Sequence, residues 1–276
     1  MYGNWTKLGL GLLVLLGSSA LAPAAEIVSF QSGTLTLHGV LYKPDGAGPF
    51  PALLYNHGSA EDSSAASDAL GPIFASHGWV FFMPSRRGQG LSSSAGPYIG
   101  NAIRKAVQNG GMAAGASTMV HLLETDHLQD QLAGLVWLQK RAYVRPLQIA
   151  VAGQSFGGIE TLFGAESGQY CAAIDVSGAA ESWKLAPELQ RRMIRAARNA
   201  RVPVFFVQPE NDFDLSPSRV LSATMKAVHK PYQLKIYPPF GASTDEGHSF
   251  AYRGASVWTP DALNFLMQSC SKGSPR

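Results

Sequence analysis

Residues 149–158, IAVAGQSFGG, constrain the fold of this chain more than any other stretch. Ser155 lies in a Gly-x-Ser-x-Gly pattern between an apolar segment and a helix-compatible segment, residues 156–166. A serine at a sharp strand-to-helix turn has a strained backbone, and only residues without bulk fit on either side of it. Gly153 and Gly157 meet that requirement. The pattern therefore predicts Ser155 as a candidate nucleophile, with an ordinary turn serine as the alternative.

The rest of the chain alternates strand-like and helix-like segments. Strands are predicted at residues 27–30, 34–42, 51–55, 79–83, 147–152, 172–176, 202–207 and 232–237, and helices at residues 69–77, 129–141, 156–166, 184–200, 217–230 and 261–269. The first two strands form a hairpin, and the later alternation implies an α/β fold. We expect a mostly parallel sheet of about eight strands with helices on both faces. In such sheets the site lies at the carboxyl ends of the strands.

The N-terminus has the layout of a secretory signal peptide. Lys7 precedes a short apolar run at residues 8–16, and Ala22 and Ala24 form an Ala-x-Ala cleavage pattern. The run is shorter than the roughly 20 residues that a membrane-spanning helix needs. We therefore expect a signal peptide at residues 1–24, one domain at residues 25–276, and a periplasmic or secreted protein without stable membrane insertion.

Residues 92–125 fit the alternation poorly. They are rich in Ser, Gly and Ala, and the segment is long for a connecting loop. It is therefore predicted to be a short cap or lid insertion.

The net charge and the two cysteines give little information about binding partners or about the redox environment. A net charge of +3 is mild, and the basic residues are scattered apart from a cluster at residues 191–198 that suits a solvated helix face. No pattern calls for nucleic acid, and the oligomeric state stays open. An exported protein permits a disulfide between Cys171 and Cys270, but two buried thiols are an equal alternative.

A serine nucleophile needs a base held by a carboxylate. His248 follows the last predicted strand and is expected in a loop before the closing helix. The preceding strand end carries two aspartates, of which Asp212 is the predicted triad acid. Asp214 is left as the rival, with helix capping as its other role. The order Ser155, Asp212, His248 is a known order of the triad.

The other histidines are interpreted as structural. His57 stands in a strand-end loop and is expected to shape it. The remaining five are expected at the surface or at helix ends: His38, His77, His121, His127 and His229.

Together these motifs resemble the α/β-hydrolases, most closely the dienelactone hydrolase-like branch and more distantly the catalytic domains of prolyl-oligopeptidase-type enzymes. The resemblance covers essentially the mature chain. Its motifs are Asn-His-Gly-Ser at residues 56–59, SRRGQGLS at residues 85–92, GQSFGG at residues 153–158, Asn-Asp at residues 211–212 and Gly-His at residues 247–248. True dienelactone hydrolases have cysteine where this chain has Ser155, so their lactone substrate is not implied.

The resemblance implies the chemistry of an exported serine esterase. A small-molecule carboxylic ester would be cleaved through an acyl-enzyme on Ser155, without metal or cofactor. The backbone amides of Phe156 and Ser59 would form the oxyanion hole. Arg86 and Arg87 have two open roles, binding of a substrate carboxylate and, as is favoured, packing below the site. For Tyr98, Met112 and Met119 the open roles are the lining of an acyl pocket and packing of the predicted cap on the body.

Two other functions remain. A serine peptidase or amidase acting on short peptides is suggested by the Ser-Phe-Gly-Gly turn, although the chain has no segment expected to form the propeller that selects peptides in such enzymes. The other is an exported protein that has the hydrolase fold and binds a ligand without catalysing a reaction. An intact set of Ser155, Asp212 and His248 argues against it, because binding alone needs no such set.

Overall fold

The computed structural model describes residues 24–271. The predicted signal peptide therefore lies outside the described residues except for its last position. The sheet has eight strands: β1 Glu26–Ser32, β2 Leu35–Tyr42, β3 Phe50–Asn56, β4 Val80–Pro84, β5 Val144–Gln154, β6 Ala173–Val176, β7 Val204–Pro209 and β8 Tyr232–Tyr237. Their spatial order is β1-β2-β4-β3-β5-β6-β7-β8. The β1–β2 and β2–β4 pairs are antiparallel, and the others are parallel. The predicted fold class is confirmed.

Strand composition explains the layering. Every residue of β4, VFFMP, and of β7, VFFVQP, is buried, as expected for strands covered on both faces. The edge strand β1 is largely exposed along its first half and becomes buried toward the hairpin. The central strands therefore form the floor on which the loops at their carboxyl ends are built.

Nine α-helices cover the sheet among residues 24–271. They are α1 Ser64–Ser76, α2 Ile99–Glu124, α3 Asp126–Gln139, α4 Phe156–Ser167, α5 Pro187–Asn199, α6 Ser216–Ala227, α7 Thr244–His248, α8 Phe250–Arg253 and α9 Ala255–Cys270. One core cluster joins the sheet to α3, α4 and α5, and a second joins it to α1 and α9. None of the helices in this part of the chain is long and apolar enough to cross a membrane.

Two helices, α1 and α9, begin more than a turn before their predicted starts. The closing helix was expected from Asp261, because proline favours a helix start. It begins at Ala255 instead and contains Pro260. The additional N-terminal residues include Trp258, whose side chain is fully buried. The predicted helix at residues 69–77 likewise begins earlier, at Ser64. The added turns bury Ala66 and Ser67 in α1 and Ala255 and Trp258 in α9.

The predicted loop around His248 is a helix. Ser243 and Glu246 form a reciprocal capping box that starts α7, and His248 is its last residue. The Ser-x-x-Glu spacing at residues 243–246 was the sequence signal for this helix.

The segment predicted as a cap, residues 92–125, contains the end of a short 3-10 turn, Gly90–Ala95, and the long helix α2. Gly111 interrupts α2 with a φ of 75°, a left-handed conformation that favours glycine. Helix α2 packs on α3, α4 and α5. Arg192 of α5 is not on a solvated face as expected, because it contacts Glu124 of α2 at 2.7 Å and Glu166 of α4 at 2.9 Å.

Cys171 and Cys270 form a disulfide, with their Cα atoms 5.1 Å apart. It joins the chain just before β6 to the end of α9. The sequence left this pairing open, because the distance depends on two elements separated by 99 residues.

Candidate active site

The turn at Ser155 joins β5 to α4 with φ 57° and ψ −116°. The backbone is strained there, because a non-glycine residue rarely adopts a positive φ. A Cβ atom at Gly153 would lie 2.3 Å from the carbonyl oxygen of Gly157. One at Gly157 would lie 2.0 Å from the carbonyl oxygen of Asn56. The two glycines thus let the turn close against β3, and Ser155 stands at the end of the central strand.

His248 and Asp212 meet at the carboxyl edge of the sheet. The Nδ1 atom of His248 lies 2.8 Å from Oδ1 of Asp212. Asp212 also accepts hydrogen bonds of 2.8 Å from the Gln208 side chain and from the backbone N–H of Phe213. Burial opposes ionisation of Asp212, but its hydrogen bond with His248 holds its pKa below the ordinary value. An ionised Asp212 fixes the tautomer of His248 with the proton on Nδ1.

Asp214 has a different environment. Its Oδ1 accepts a hydrogen bond of 2.9 Å from the backbone N–H of Ser216, the first residue of α6. Its backbone carbonyl accepts another from Gln208. The rival aspartate is thus at the start of a helix, while Asp212 contacts the imidazole.

The second ring nitrogen of His248 is unpaired. Nε2 is buried and has no hydrogen-bond partner among the described residues, and the nearest carboxylate oxygen, of Glu181, is 4.0 Å away. Burial lowers the pKa of His248, but Asp212, then Glu181 and Asp245, raise it to a net value above the ordinary one. His248 and Ser155 line the same cavity. With Nδ1–H donated to Asp212, Nε2 is free to accept a proton.

The loop at residues 57–60 is held in place by side chains from the segment after β4. Gln89 donates hydrogen bonds of 3.1 Å and 2.7 Å to the carbonyls of Ser59 and Ala60. The Tyr98 hydroxyl donates a third, of 2.8 Å, to the carbonyl of Ser59. These bonds occupy the carbonyl groups of the loop and fix the orientation of its peptide planes. Sequence reasoning missed Gln89, although it lies in the GQG motif.

A buried ion pair lies beneath this loop. Arg86 contacts Glu160 of α4, and its guanidinium also donates to the carbonyl of Gly58. The backbone N–H of Arg86 lies 3.2 Å from Nε2 of His57. Burial, with the Arg86 charge, keeps the pKa of His57 well below its ordinary value, so the imidazole is neutral. His57 therefore supports the loop, as expected.

The neighbouring Arg87 is also paired. It binds Asp130 of α3, with contacts of 2.9 Å from Nε and 2.6 Å from Nη2. His127 lies near this pair and is buried, not at the surface as expected; burial, with Arg86 and Arg87, lowers its pKa to about 3. Sequence reasoning missed the partners Glu160 and Asp130, although an acid within the apolar stretch GGIETLFG was a visible signal for Glu160.

Two cavities meet at Ser155. One, of about 240 Å³, has a mixed polar and apolar lining that includes His248, and is called the His248 cavity below. The other, of about 190 Å³, lies under α2 and is mainly apolar. Ser155 and Glu181 line both cavities. Of the three pocket candidates, Met112 and Met119 line the apolar cavity, whereas Tyr98 lines a separate cleft.

Among residues 24–271, no cluster of three or more His, Cys, Asp or Glu side chains could hold a metal ion.

Comparison with known proteins identifies a family match over residues 37–265, to the dienelactone hydrolase family. No curated protein is significantly similar in sequence.

Three solved structures illustrate the fold. Pyrococcus horikoshii acylaminoacyl peptidase has a TM-score of 0.66 and 18% identity, over 91% of this chain and 42% of that chain. A Klebsiella pneumoniae protein designated a dienelactone hydrolase has a TM-score of 0.66 and 15% identity, over 91% and 100%. The puromycin-hydrolyzing peptidase of Mycobacterium tuberculosis has a TM-score of 0.62 and 16% identity, over 90% and 39%. This chain therefore spans less than half the length of either peptidase.

Proposed function

The chain belongs to the dienelactone hydrolase family, and on that premise we propose that it is a serine hydrolase that cleaves carboxylic esters through an acyl-enzyme on Ser155. One observation carries the proposal. His248 is bound to Asp212 through Nδ1 at 2.8 Å and keeps Nε2 unpaired among the described residues, in the cavity that Ser155 also lines. A neutral serine is a weak nucleophile, and this pairing supplies the oriented base that it needs.

The proposed reaction has two halves. In the first, the Oγ of Ser155 attacks the ester carbonyl while its proton passes to Nε2 of His248. The bond from the carbonyl carbon to the alcohol oxygen then breaks, and His248 gives the proton to that oxygen. In the second half, water attacks the acyl-enzyme, losing its proton to His248, which returns it to Ser155 as the carboxylic acid leaves. Asp212 stabilises the charged imidazole in both halves.

The backbone amides of Phe156 and Ser59 are the proposed oxyanion donors. Phe156 opens α4, where the first N–H groups have no acceptor within the helix. Ser59 lies in the loop that Gln89 and Tyr98 hold through its carbonyl groups. Removal of one such donor costs about 2.7–4 kcal/mol of transition-state stabilisation in enzymes of this kind.

A second candidate is a peptidase or amidase that acts on short peptides. The observation that favours it is the similarity in fold to the two peptidases, and the same pair of Ser155 and His248 would serve amide cleavage. Both candidates share the acyl-enzyme and differ in the leaving group. A binding protein without turnover is a third candidate, with no contact in the site that favours it.

We also propose that the protein is exported to the periplasm or secreted. The signal-peptide pattern at residues 1–24 and the disulfide between Cys171 and Cys270 both support an oxidising compartment. N-terminal sequencing of protein from the native host tests this proposal, which predicts a mature chain that begins near Ala25. An intact N-terminus on cytosolic protein would contradict it.

Labelling with a fluorophosphonate tests the nucleophile. The reagent forms a phosphorus–oxygen bond with an activated serine and releases fluoride, so wild type should be labelled and Ser155→Ala should not. Ser63→Ala is the matched control, because Ser63 lines the same cavity, and it should be labelled like wild type. Equal labelling of Ser155→Ala, or none of wild type, would overturn the assignment.

Turnover of paired substrates then separates the candidates. A panel of p-nitrophenyl esters and the p-nitroanilides of the same acyl groups should show hydrolysis of the esters only. Comparable turnover of the anilides would favour the peptidase. If the protein is labelled but hydrolyses neither the esters nor the anilides, the result would favour the binding protein.

A further inference from the structure

Proton transfer assigns the two cavities at Ser155 to different parts of a substrate. This inference rests on the proposed ester hydrolysis. When the ester bond breaks, His248 must deliver its proton to the leaving oxygen, so the alcohol lies on the side of His248. His248 lines the His248 cavity and is not among the residues that line the apolar one. The His248 cavity therefore takes the alcohol, and the apolar cavity takes the acyl group.

The charges in the alcohol cavity are all of one sign. Its lining includes the carboxylates of Asp62, Glu181 and Asp245, and no Lys or Arg among residues 24–271. The adjoining cleft, of about 700 Å³, shares Asp62 and adds Glu61, again without a Lys or Arg from the described part of the chain. An alcohol entering this cavity therefore meets a negative potential.

The nearby arginines are paired with carboxylates. Arg86 faces Glu160, and Arg87 faces Asp130 and Asp126. Arg86 is only 4% exposed and also binds the Gly58 carbonyl, so it is committed to the support of the loop. The segment after β4 therefore offers no unpaired cation to a carboxylate on the alcohol. This observation does not depend on the acidic lining, and it also disfavours an anionic alcohol.

The acyl cavity is formed largely by α2. Five α2 side chains line it, Ile103, Val107, Met112, Ala116 and Met119, and Leu185 faces them. Its volume of about 190 Å³ is below the roughly 300–1,000 Å³ of a pocket for a drug-sized ligand, so it suits a short acyl chain.

We infer that the substrate is an ester of a short apolar acid with a cationic or neutral alcohol, and that an anionic alcohol is disfavoured. The acyl group lies under α2, and the alcohol lies among Asp62, Glu181 and Asp245.

Three thioesters with the same butyryl group and the same two-carbon spacer test the charge preference: butyrylthiocholine, its neutral isostere S-(3,3-dimethylbutyl) thiobutyrate, and the anionic S-(2-carboxyethyl) thiobutyrate. We expect kcat/KM to fall from the cation to the anion by about tenfold or more at low salt, which corresponds to about 1.4 kcal/mol. The ratio should shrink as salt screens the carboxylates. Equal rates, or a faster anion, would overturn the inference.

Charge-neutralising variants locate the effect. Asp62→Asn combined with Glu181→Gln should reduce the ratio of cation to anion severalfold. Glu188→Gln is the matched control, because Glu188 is exposed on α5 and lines neither cavity, and it should keep the ratio. An unchanged ratio in the double variant would contradict the location. Hydrolysis of p-nitrophenyl butyrate distinguishes the two proposals, since its absence in wild type contradicts the esterase itself, whereas its presence with equal rates for the three thioesters contradicts only the charge preference.

A second pair of variants tests the acyl side. Ala116→Leu narrows the apolar cavity, and Ala113→Leu makes the same change at an exposed position of α2 that does not line it. We expect Ala116→Leu to lower kcat/KM for p-nitrophenyl hexanoate relative to the acetate by about tenfold, and Ala113→Leu to leave the ratio unchanged. Retained fluorophosphonate labelling shows that the variant is folded. A labelled Ala116→Leu with an unchanged ratio, or with altered alcohol preference instead, would overturn the assignment.

Discussion

The Tyr98 hydroxyl donates a hydrogen bond of 2.8 Å to the backbone carbonyl of Ser59. Tyr98 immediately precedes α2, the helix that forms most of the apolar cavity, and Ser59 supplies one of the proposed oxyanion amides. The bond therefore connects the start of the α2 segment to the loop that would stabilise the developing charge. Gln89 binds the same carbonyl, so two side chains fix the Ser59–Ala60 peptide, which adjoins the peptide that carries the Ser59 N–H.

Tyr98→Phe should lower kcat about three- to tenfold, because one hydrogen bond contributes about 0.5–1.5 kcal/mol. The loss should appear in kcat and in the rate of fluorophosphonate labelling, with KM nearly unchanged, because the loop acts on the transition state. Tyr232→Phe is the control, since that side chain is exposed on the edge strand β8, and it should behave like wild type. An equal loss in both variants, or a change confined to thermal stability, would contradict a positioning role for Tyr98.

Local patterns were enough to predict the sheet and the turn at Ser155. The apolar runs of β4 and β7 and the spacing of Gly153 and Gly157 are properties of short segments, and their physical causes are local. Asp212 and His248 followed from their positions after successive strands, because the carboxyl ends of parallel strands share one edge.

Contacts between distant segments could not be predicted in this way. Arg86 and Glu160 are 74 residues apart, and nothing local to either states that the other is its partner. The disulfide likewise joins two residues, Cys171 and Cys270, that are 99 positions apart and have no local signal for their pairing. The charge of the alcohol cavity could not be predicted from the sequence either, because Asp62, Glu181 and Asp245 come from three separate loops or helix starts.

The aspartate that contacts His248 should be far more sensitive than its neighbour. Asp212→Asn removes the charge that stabilises the imidazolium and disturbs its tautomer, and kcat should fall about 10³- to 10⁴-fold. Asp214→Asn should keep kcat within a few fold, because asparagine also accepts a hydrogen bond at a helix start. Steady-state kinetics with one p-nitrophenyl ester measures both. The opposite ranking would assign the acid to Asp214.

The pH dependence of the reaction should report on Glu181. The base must be neutral to act, and the pKa of His248 is raised, so kcat/KM should increase with pH through an apparent pKa above 6.5. Glu181 contributes to that rise. Glu181→Gln removes its charge, lowers the pKa of His248, and should therefore move the rising limb to lower pH. Glu188→Gln should leave the rising limb in place. A shift of the limb to higher pH in Glu181→Gln would show that Glu181 does not raise the pKa of His248.

Asp175, at the sheet end next to the Ser155 turn, should make the fold less stable as pH rises. It is buried on β6 and accepts a hydrogen bond of 2.8 Å from the backbone N–H of Gly178, and burial raises its pKa from 3.8 to about 7. Between those values the folded protein holds one more proton than the unfolded chain. The free energy of unfolding therefore falls as pH rises, by about 2 kcal/mol between pH 5 and pH 7.

Asp175→Asn keeps the shape and the oxygen acceptor but cannot ionise, so it should lack this contribution. Relative to wild type, the variant should gain about 2 kcal/mol in the free energy of unfolding between pH 5 and pH 7, measured by urea titration at both values. Asp45→Asn, at an exposed position, controls for loss of one surface charge and should show no such gain. If Asp175→Asn differs from wild type by the same amount at both pH values, Asp175 is already ionised in the folded protein. Its carboxylate would then be stabilised by the backbone N–H of Gly178, and burial would not be the dominant influence on its pKa.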